Sequence, residues 1–209
     1  MALRRVLLSL LPVGLLVLVF TLAGCSGPTG AAEPSSEPSS GGPSGEAAAS
    51  PDSRPTPASS RGPARNVPRP VLPEAAKQNT KEGFEAFTQY WFDTVTYGLE
   101  NNDPNVIKNV SRSDCKVCNA YFSDALDSAT GGGWYEGPRW RVTGFLSDMS
   151  RDPLKQALGQ FLLEESASSR FDAQGSILKS RKGGNDNRLK EIYAIYEDGR
   201  WLASQLGQA

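Results

Sequence analysis

The chain contains no histidine. That removes the commonest general base, the commonest zinc ligand and any Ser-His or Cys-His catalytic pair. Cysteine is scarce, with three residues in 209: Cys25, Cys115 and Cys118. Aromatic residues are missing from a long stretch; apart from Phe20, the first is Phe84. Burial of large apolar side chains drives folding, so the core belongs to the C-terminal two thirds. A strong charge of either sign is also absent, the formal net charge being -1. A nucleic-acid binder needs a basic excess to neutralise phosphates, so that class of partner is excluded.

What is present begins with an export signal. Arg4 and Arg5 precede an apolar run from Val6 to Phe20, followed by Leu22-Ala23-Gly24-Cys25. Small residues before a cleavage point suit a signal peptidase. Leu-Ala-Gly-Cys resembles the bacterial lipobox, in which the cysteine thiol receives a diacylglycerol and the chain is cut before it. Residues 1–24 are therefore expected to be a lipoprotein signal peptide, with Cys25 lipidated. Acyl chains at that position would hold the protein on the extracytoplasmic face of the cell membrane. The competing reading is a plain transmembrane helix, but Pro12 and Gly14 interrupt a run already near the lower limit for a span.

From Ser26 to Pro70 the chain has no aromatic, Leu, Ile or Met and is mostly Pro, Ser, Gly and Ala. Such a segment buries too little apolar surface to offset its ordering entropy. Residues 25–70 are expected to be a disordered tether, ~35–40 Å end to end as a coil. Its Ser and Thr residues are candidate sugar acceptors, and Arg54, Arg61, Arg65 and Arg69 are read as solvated spacer charges.

Residues 71–209 read as one α+β domain. Phe84, Phe87, Trp91 and Val95 recur at three- and four-residue steps, which predicts a helix from Thr80 to near Leu99. Asn79 with Glu82 has capping-box spacing. Asp103-Pro104 opens a short second helix. Ser113 or Asp114 caps a third, which Gly131-Gly132-Gly133 stops. Strands follow at 139–143, 158–168, 176–179, 192–196 and 201–203. Asp198-Gly199 between the last two is a strong hairpin signal. Helices followed by strands indicate α+β, with one sheet curling round the long helix. Gly183-Gly184-Asn185-Asp186 reads as a hairpin tip, flanked by Lys179, Arg181, Lys182, Arg188 and Lys190.

Three segments carry a resemblance: Glu82-Gly83-Phe84-Glu85-Ala86-Phe87 with Tyr90-Trp91-Phe92-Asp93, Ser113 to Cys118, and Asp198-Gly199-Arg200-Trp201. From about Thr80 to Leu206 the chain resembles a family of actinobacterial lipoproteins of unknown function. That family is similar in fold to the nuclear transport factor two and ketosteroid isomerase superfamily. The resemblance implies a cone: a curved, mostly antiparallel sheet wrapped round helices and an apolar cavity. Fold alone says little about activity.

Cys115 and Cys118 are an even pair in an exported chain, which argues for a disulfide. The rival is a thiol-redox centre at a helix N-terminus. A zinc site would need two further ligands, and no metal or cofactor is expected. If the cone is hollow, Tyr90, Trp91, Asp93 and Tyr97 are the candidates to line it. A carboxylate in an apolar pocket can serve as a base. The superfamily's tyrosine and aspartate pattern does not map onto this chain, however. The leading expectation is a non-catalytic domain that binds a partner protein, an envelope polymer or an apolar small molecule. The alternative is a cavity enzyme with isomerase- or dehydratase-like chemistry.

Overall fold

The structure, a computed structural model, describes residues 53–209. The signal peptide, Cys25 and the tether up to residue 52 lie outside the described residues. Among the described residues no helix is long and apolar enough to cross a membrane.

Among the described residues a 3-10 turn (Ala75–Lys77) and three α-helices precede seven strands. Helix α1 is Lys81–Glu100, α2 is Asn105–Asn109 and α3 is Lys116–Gly131. The aromatic stripe formed α1 as expected, but the cap is one residue later than the capping-box spacing indicated. Thr80 Oγ1 accepts the Gly83 N–H at 3.0 Å, while Asn79 Oδ1 accepts instead from Arg151. Gly83 is there for space. A Cβ at that position would stand 2.1 Å from the Gln78 carbonyl oxygen, so alanine, the better helix former, does not fit. Helix α3 is capped by Cys115 rather than Ser113 or Asp114, and it ends at Gly132 in the left-handed conformation (φ 70°).

The strands are β1 (Trp134–Glu136), β2 (Trp140–Leu146), β3 (Gln156–Glu165), β4 (Ser168–Phe171), β5 (Ile177–Arg181), β6 (Gly184–Glu197) and β7 (Arg200–Gln208). They form two antiparallel sheets, ordered β2-β3-β6-β7 and β1-β4-β5, where the sequence suggested one. The cause is a bent ribbon. Glu165 pairs with Gly184 and Ser168 with Arg181, so β3–β4 and β5–β6 run side by side as two long arms. They break together at Ser166-Ala167 and Lys182-Gly183. Beyond the break, the outer half pairs with β1 instead of continuing the first sheet. The expected hairpin tip at 183–186 is therefore this bend. The real tip is 172–176, where Asp172 Oδ1 accepts the N–H groups of Gln174 and Ser176. The β6–β7 hairpin is as expected, with both Asp198 (φ 51°) and Gly199 (φ 74°) at positive φ.

The core lies between α1 and the four-stranded sheet. Phe84, Phe87, Trp91, Phe92, Val95 and Leu99 come from the helix, and Phe145, Phe161, Ile192 and Trp201 from the strands. The sheet buries small residues among these large ones, namely Ala157, Gly159, Ala194 and Ala203. A Cβ on Gly159 would be 2.5 Å from the Phe145 ring. Gln89 on α1 closes the free edge of β2. Its side chain accepts the Val142 N–H and donates to the Trp140 carbonyl, both at 2.9 Å. A glutamine thus takes the place of a neighbouring strand.

The tether boundary expected at Pro70 moves toward the N-terminus. Residues 53–70 lie on the domain. Thr56 and Arg65 exchange backbone hydrogen bonds at 2.8 Å, and Ala64 N–H donates to the Glu100 carbonyl at 3.2 Å. The Trp134 indole N–H donates to the Ser59 carbonyl at 2.8 Å. Ala58, Trp134 and Phe171 make a second, small core.

Candidate functional site

The region where a cone cavity would lie is occupied by rings. Trp91 is fully buried, edge-on to Phe92 (5.0 Å between centroids) and Tyr121 (5.9 Å). Phe92 in turn meets Phe161 at 5.8 Å and Trp140 at 5.9 Å. Such contacts combine area burial with favourable ring geometry. The Trp91 indole N–H is satisfied by Ser111 Oγ at 2.9 Å.

A polar margin borders this packing, between α3 and the three-stranded sheet. The Tyr121 phenol is pushed up to about 12, first by burial and then by the Glu165 charge. Tyr135 is also raised, mainly by burial. The Arg170 guanidinium lies 5.5 Å from the Tyr135 ring centroid. A phenol whose folded pKa exceeds its unfolded value of about 10 stabilises the fold below pH 10. That contribution is lost as pH rises from about 10 to about 12. An alkaline unfolding titration should show this loss, and Tyr121→Phe should reduce it.

The four residues singled out as cavity-lining do not converge. Trp91 is core. Tyr90 packs half-buried against the core margin. Asp93 is exposed and accepts from Gln89 at 2.9 Å. Asp93 and Tyr97 share a shallow groove of about 240 Å³ with Pro68, Pro70, Glu100 and Arg139. The strap formed by residues 53–70 supplies one wall of that groove. There the Arg69 guanidinium is held above its usual value, first by its hydrogen bond with Tyr97 and then by Asp103. Glu100, 5% exposed, accepts from Gly137 N–H at 3.0 Å and pairs with Arg139 at 2.8 Å. This buried carboxylate ties α1 to the β1–β2 connection, while the Glu100 backbone carbonyl takes the strap's Ala64 N–H, so the residue has a structural role.

The better-formed concavity lies between α2 and α3, with a volume of about 610 Å³. Ile107, Cys118 and Phe122 give it apolar surface, while Lys108, Ser111, Arg112, Ser113, Asn119 and Ser123 give it polar surface. The connector between the helices is fixed to the sheet. Arg112 N–H donates to Ala203 O at 2.8 Å, and Ala203 N–H donates to Val110 O at 3.0 Å. The Cys115–Cys118 disulfide fixes the other wall, with the Cα atoms 5.3 Å apart and both residues buried. Cys115 Sγ also accepts the Cys118 N–H, as a cap on α3. Closing so short a loop should contribute about 2 kcal/mol. Replacing both cysteines by serine should therefore lower the melting temperature by about 5 °C while leaving the fold intact, as thermal denaturation would report. The lining lies within residues 107–123, but these side chains enclose a groove only once α2 and α3 pack, so no local pattern points to it.

Residues 54–207, the strap and both sheets, match a single family description: family of unknown function, DUF6318. The chain belongs to the DUF6318 family. The match begins at the strap rather than at residue 71, so the family unit includes the strap. No curated protein sequence matches this DUF6318 member. Among solved structures it is similar to the intermembrane-space region of the chloroplast protein ARC6. That likeness covers 62% of this chain and 95% of the other, at 12% identity and a TM-score of 0.44. It is also similar to Aln2 from a Streptomyces species, over 66% of this chain and 93% of the other, at 10% identity and a TM-score of 0.37. Both likenesses are distant.

Proposed function

We propose that the protein is a lipid-anchored, extracytoplasmic lipoprotein of the actinobacterial type whose domain binds an envelope polymer or partner protein without catalysis. The anchor reading rests on Leu22-Ala23-Gly24-Cys25 after an apolar run. The domain reading rests on one observation: the space between α1 and the four-stranded sheet is filled by aromatic side chains. The larger concavity lies outside it, between α2 and α3. A long helix against a four-stranded antiparallel sheet also supports reading the fold as a filled relative of the nuclear transport factor two cone. Acid/base chemistry would call for a carboxylate and a phenol converging in an enclosed pocket. Asp93 and Tyr97 instead border an open groove.

The anchor is tested by feeding labelled palmitate to a bacterial host that exports the full chain. The native chain should take up label and partition into the detergent phase, and Cys25→Ala should do neither. Equal labelling of the two would sink the anchor. The binding reading is tested by co-sedimentation of the full chain with envelope polymer. Retention on polymer, with no turnover of it, is the expected result.

A further inference from the structure

We propose that the α2–α3 groove binds an acidic sugar unit, with Lys108 and Arg112 meeting its anionic group. This rests on the non-catalytic binding reading and names the ligand class of that site. The groove has the size of an ordinary ligand pocket and room for more than one sugar ring. Its cations are prepared for an anion. The Lys108 ammonium stands 4.1 Å from the centroid of the Phe122 ring, which restrains a long side chain before any ligand arrives. Lys108 makes no ion pair among the described residues. Arg112 reaches Asp114 and Glu197 only at 3.5 Å each, with its side chain 37% exposed. Such long, screened contacts yield readily to a closer anion.

The rest of the lining suits hydroxyl groups. Ser111 Oγ already accepts the Trp91 N–H, so its own hydroxyl proton is available to a ligand. Asn119 donates one N–H to the Ser113 carbonyl at 2.8 Å, which orients its side-chain carbonyl as a fixed acceptor. A concave wall of hydroxyl and amide groups beside two cations matches a charged polyol. A flat anionic bilayer fits less well, because Ser111 and Asn119 lie within a concave groove that a flat surface does not enter.

Ser111 also links the groove to a reporter. A ligand hydrogen-bonded to Ser111 polarises its hydroxyl and shifts the Trp91 indole N–H resonance. Trp134, bonded to Ser59 beside the other sheet, should stay still. The experiment uses the full chain with 15N-labelled tryptophan in non-ionic detergent. The probes are trigalacturonate, glucose 6-phosphate, maltotriose and phosphatidylglycerol doped into the detergent micelles. Trigalacturonate or glucose 6-phosphate should move the Trp91 signal at millimolar concentration; which of them does so identifies carboxylate or phosphate as the anion. Maltotriose should not. Lys108→Gln, at an exposed position, should weaken binding about tenfold without changing the melting temperature. The proposal is overturned if neither acidic sugar moves that signal, if maltotriose moves it equally, or if only phosphatidylglycerol does. Polymer that sediments with the protein but leaves the Trp91 signal unmoved would remove the groove and keep the binding reading. No retention of polymer or partner, together with an unmoved Trp91 signal, would remove both.

Discussion

Trp91→Ala is expected to destabilise the domain by about 3–5 kcal/mol and to lower its melting temperature by about 10 °C or more. Trp91 is fully buried where α1 meets α3 and the α2–α3 connector, so its removal opens a large cavity. It also leaves Ser111 Oγ without the indole donor. Trp91→Phe separates the two effects. It keeps most of the ring volume and loses the hydrogen bond, at a cost of about 1–2 kcal/mol. Urea and thermal denaturation of the three chains measure both differences. A cost below about 1 kcal/mol for Trp91→Ala would mean that the interior is loosely filled, and the reading of a packed core would fail.

A chain that begins at Val71 should be less stable than one that begins at residue 53, by about 3 kcal/mol. The shorter chain loses the Ser59 acceptor of Trp134 and the Ala64–Glu100 backbone bond. It also loses the Arg69–Asp103 pair at 2.6 Å. Ala58 no longer covers the stacked Trp134 and Phe171 rings, whose centroids are 5.1 Å apart. The net effect is smaller than the sum of these contacts, because ordering the strap costs entropy. A melting point lower by about 10 °C, with red-shifted tryptophan emission, is the expected result. Equal stability of the two chains would mean that the strap contributes nothing to the fold.

These two regions also mark how far the sequence could be read. Helix α1 was legible because its aromatic residues repeat at helical spacing. The β6–β7 hairpin was legible because Asp198-Gly199 is a local turn signal. The strap was not, because its composition is that of the preceding spacer. What holds it is Trp134, 75 residues away from Ser59. Strand β1 was missed for a related reason: three residues, Trp134 to Glu136, are too few to show alternation. The Gly183-Gly184 pair correctly marked a break in the chain. Nothing local distinguishes the bend of a ribbon from the tip of a hairpin, and the pairing of Glu165 with Gly184 decides it.

The candidate site was less legible than the fold. Asp93 and Tyr97 were named for their place on the aromatic helix, yet one helix turn separates a core position from a groove wall. Trp91 meets α3 at Tyr121 and the connector at Ser111, while Asp93 and Tyr97 border the groove walled by the strap. The α2–α3 groove was out of reach because Lys108, Arg112 and Phe122 have no shared period. They meet through the packing of α2 on α3 and through the attachment of Ser111 and Arg112 beside β7.

Native mass spectrometry of the full chain, exported and purified from a bacterial host, shows both the anchor and the contents of the interior. The account expects a mature protein carrying acyl groups on Cys25, two hydrogens lighter than its reduced form, with no small molecule retained in the aromatic interior. A discrete apolar mass that stays bound in the gas phase and leaves only on denaturation would contradict it. The interior would then be a ligand chamber, and the domain a carrier or an enzyme.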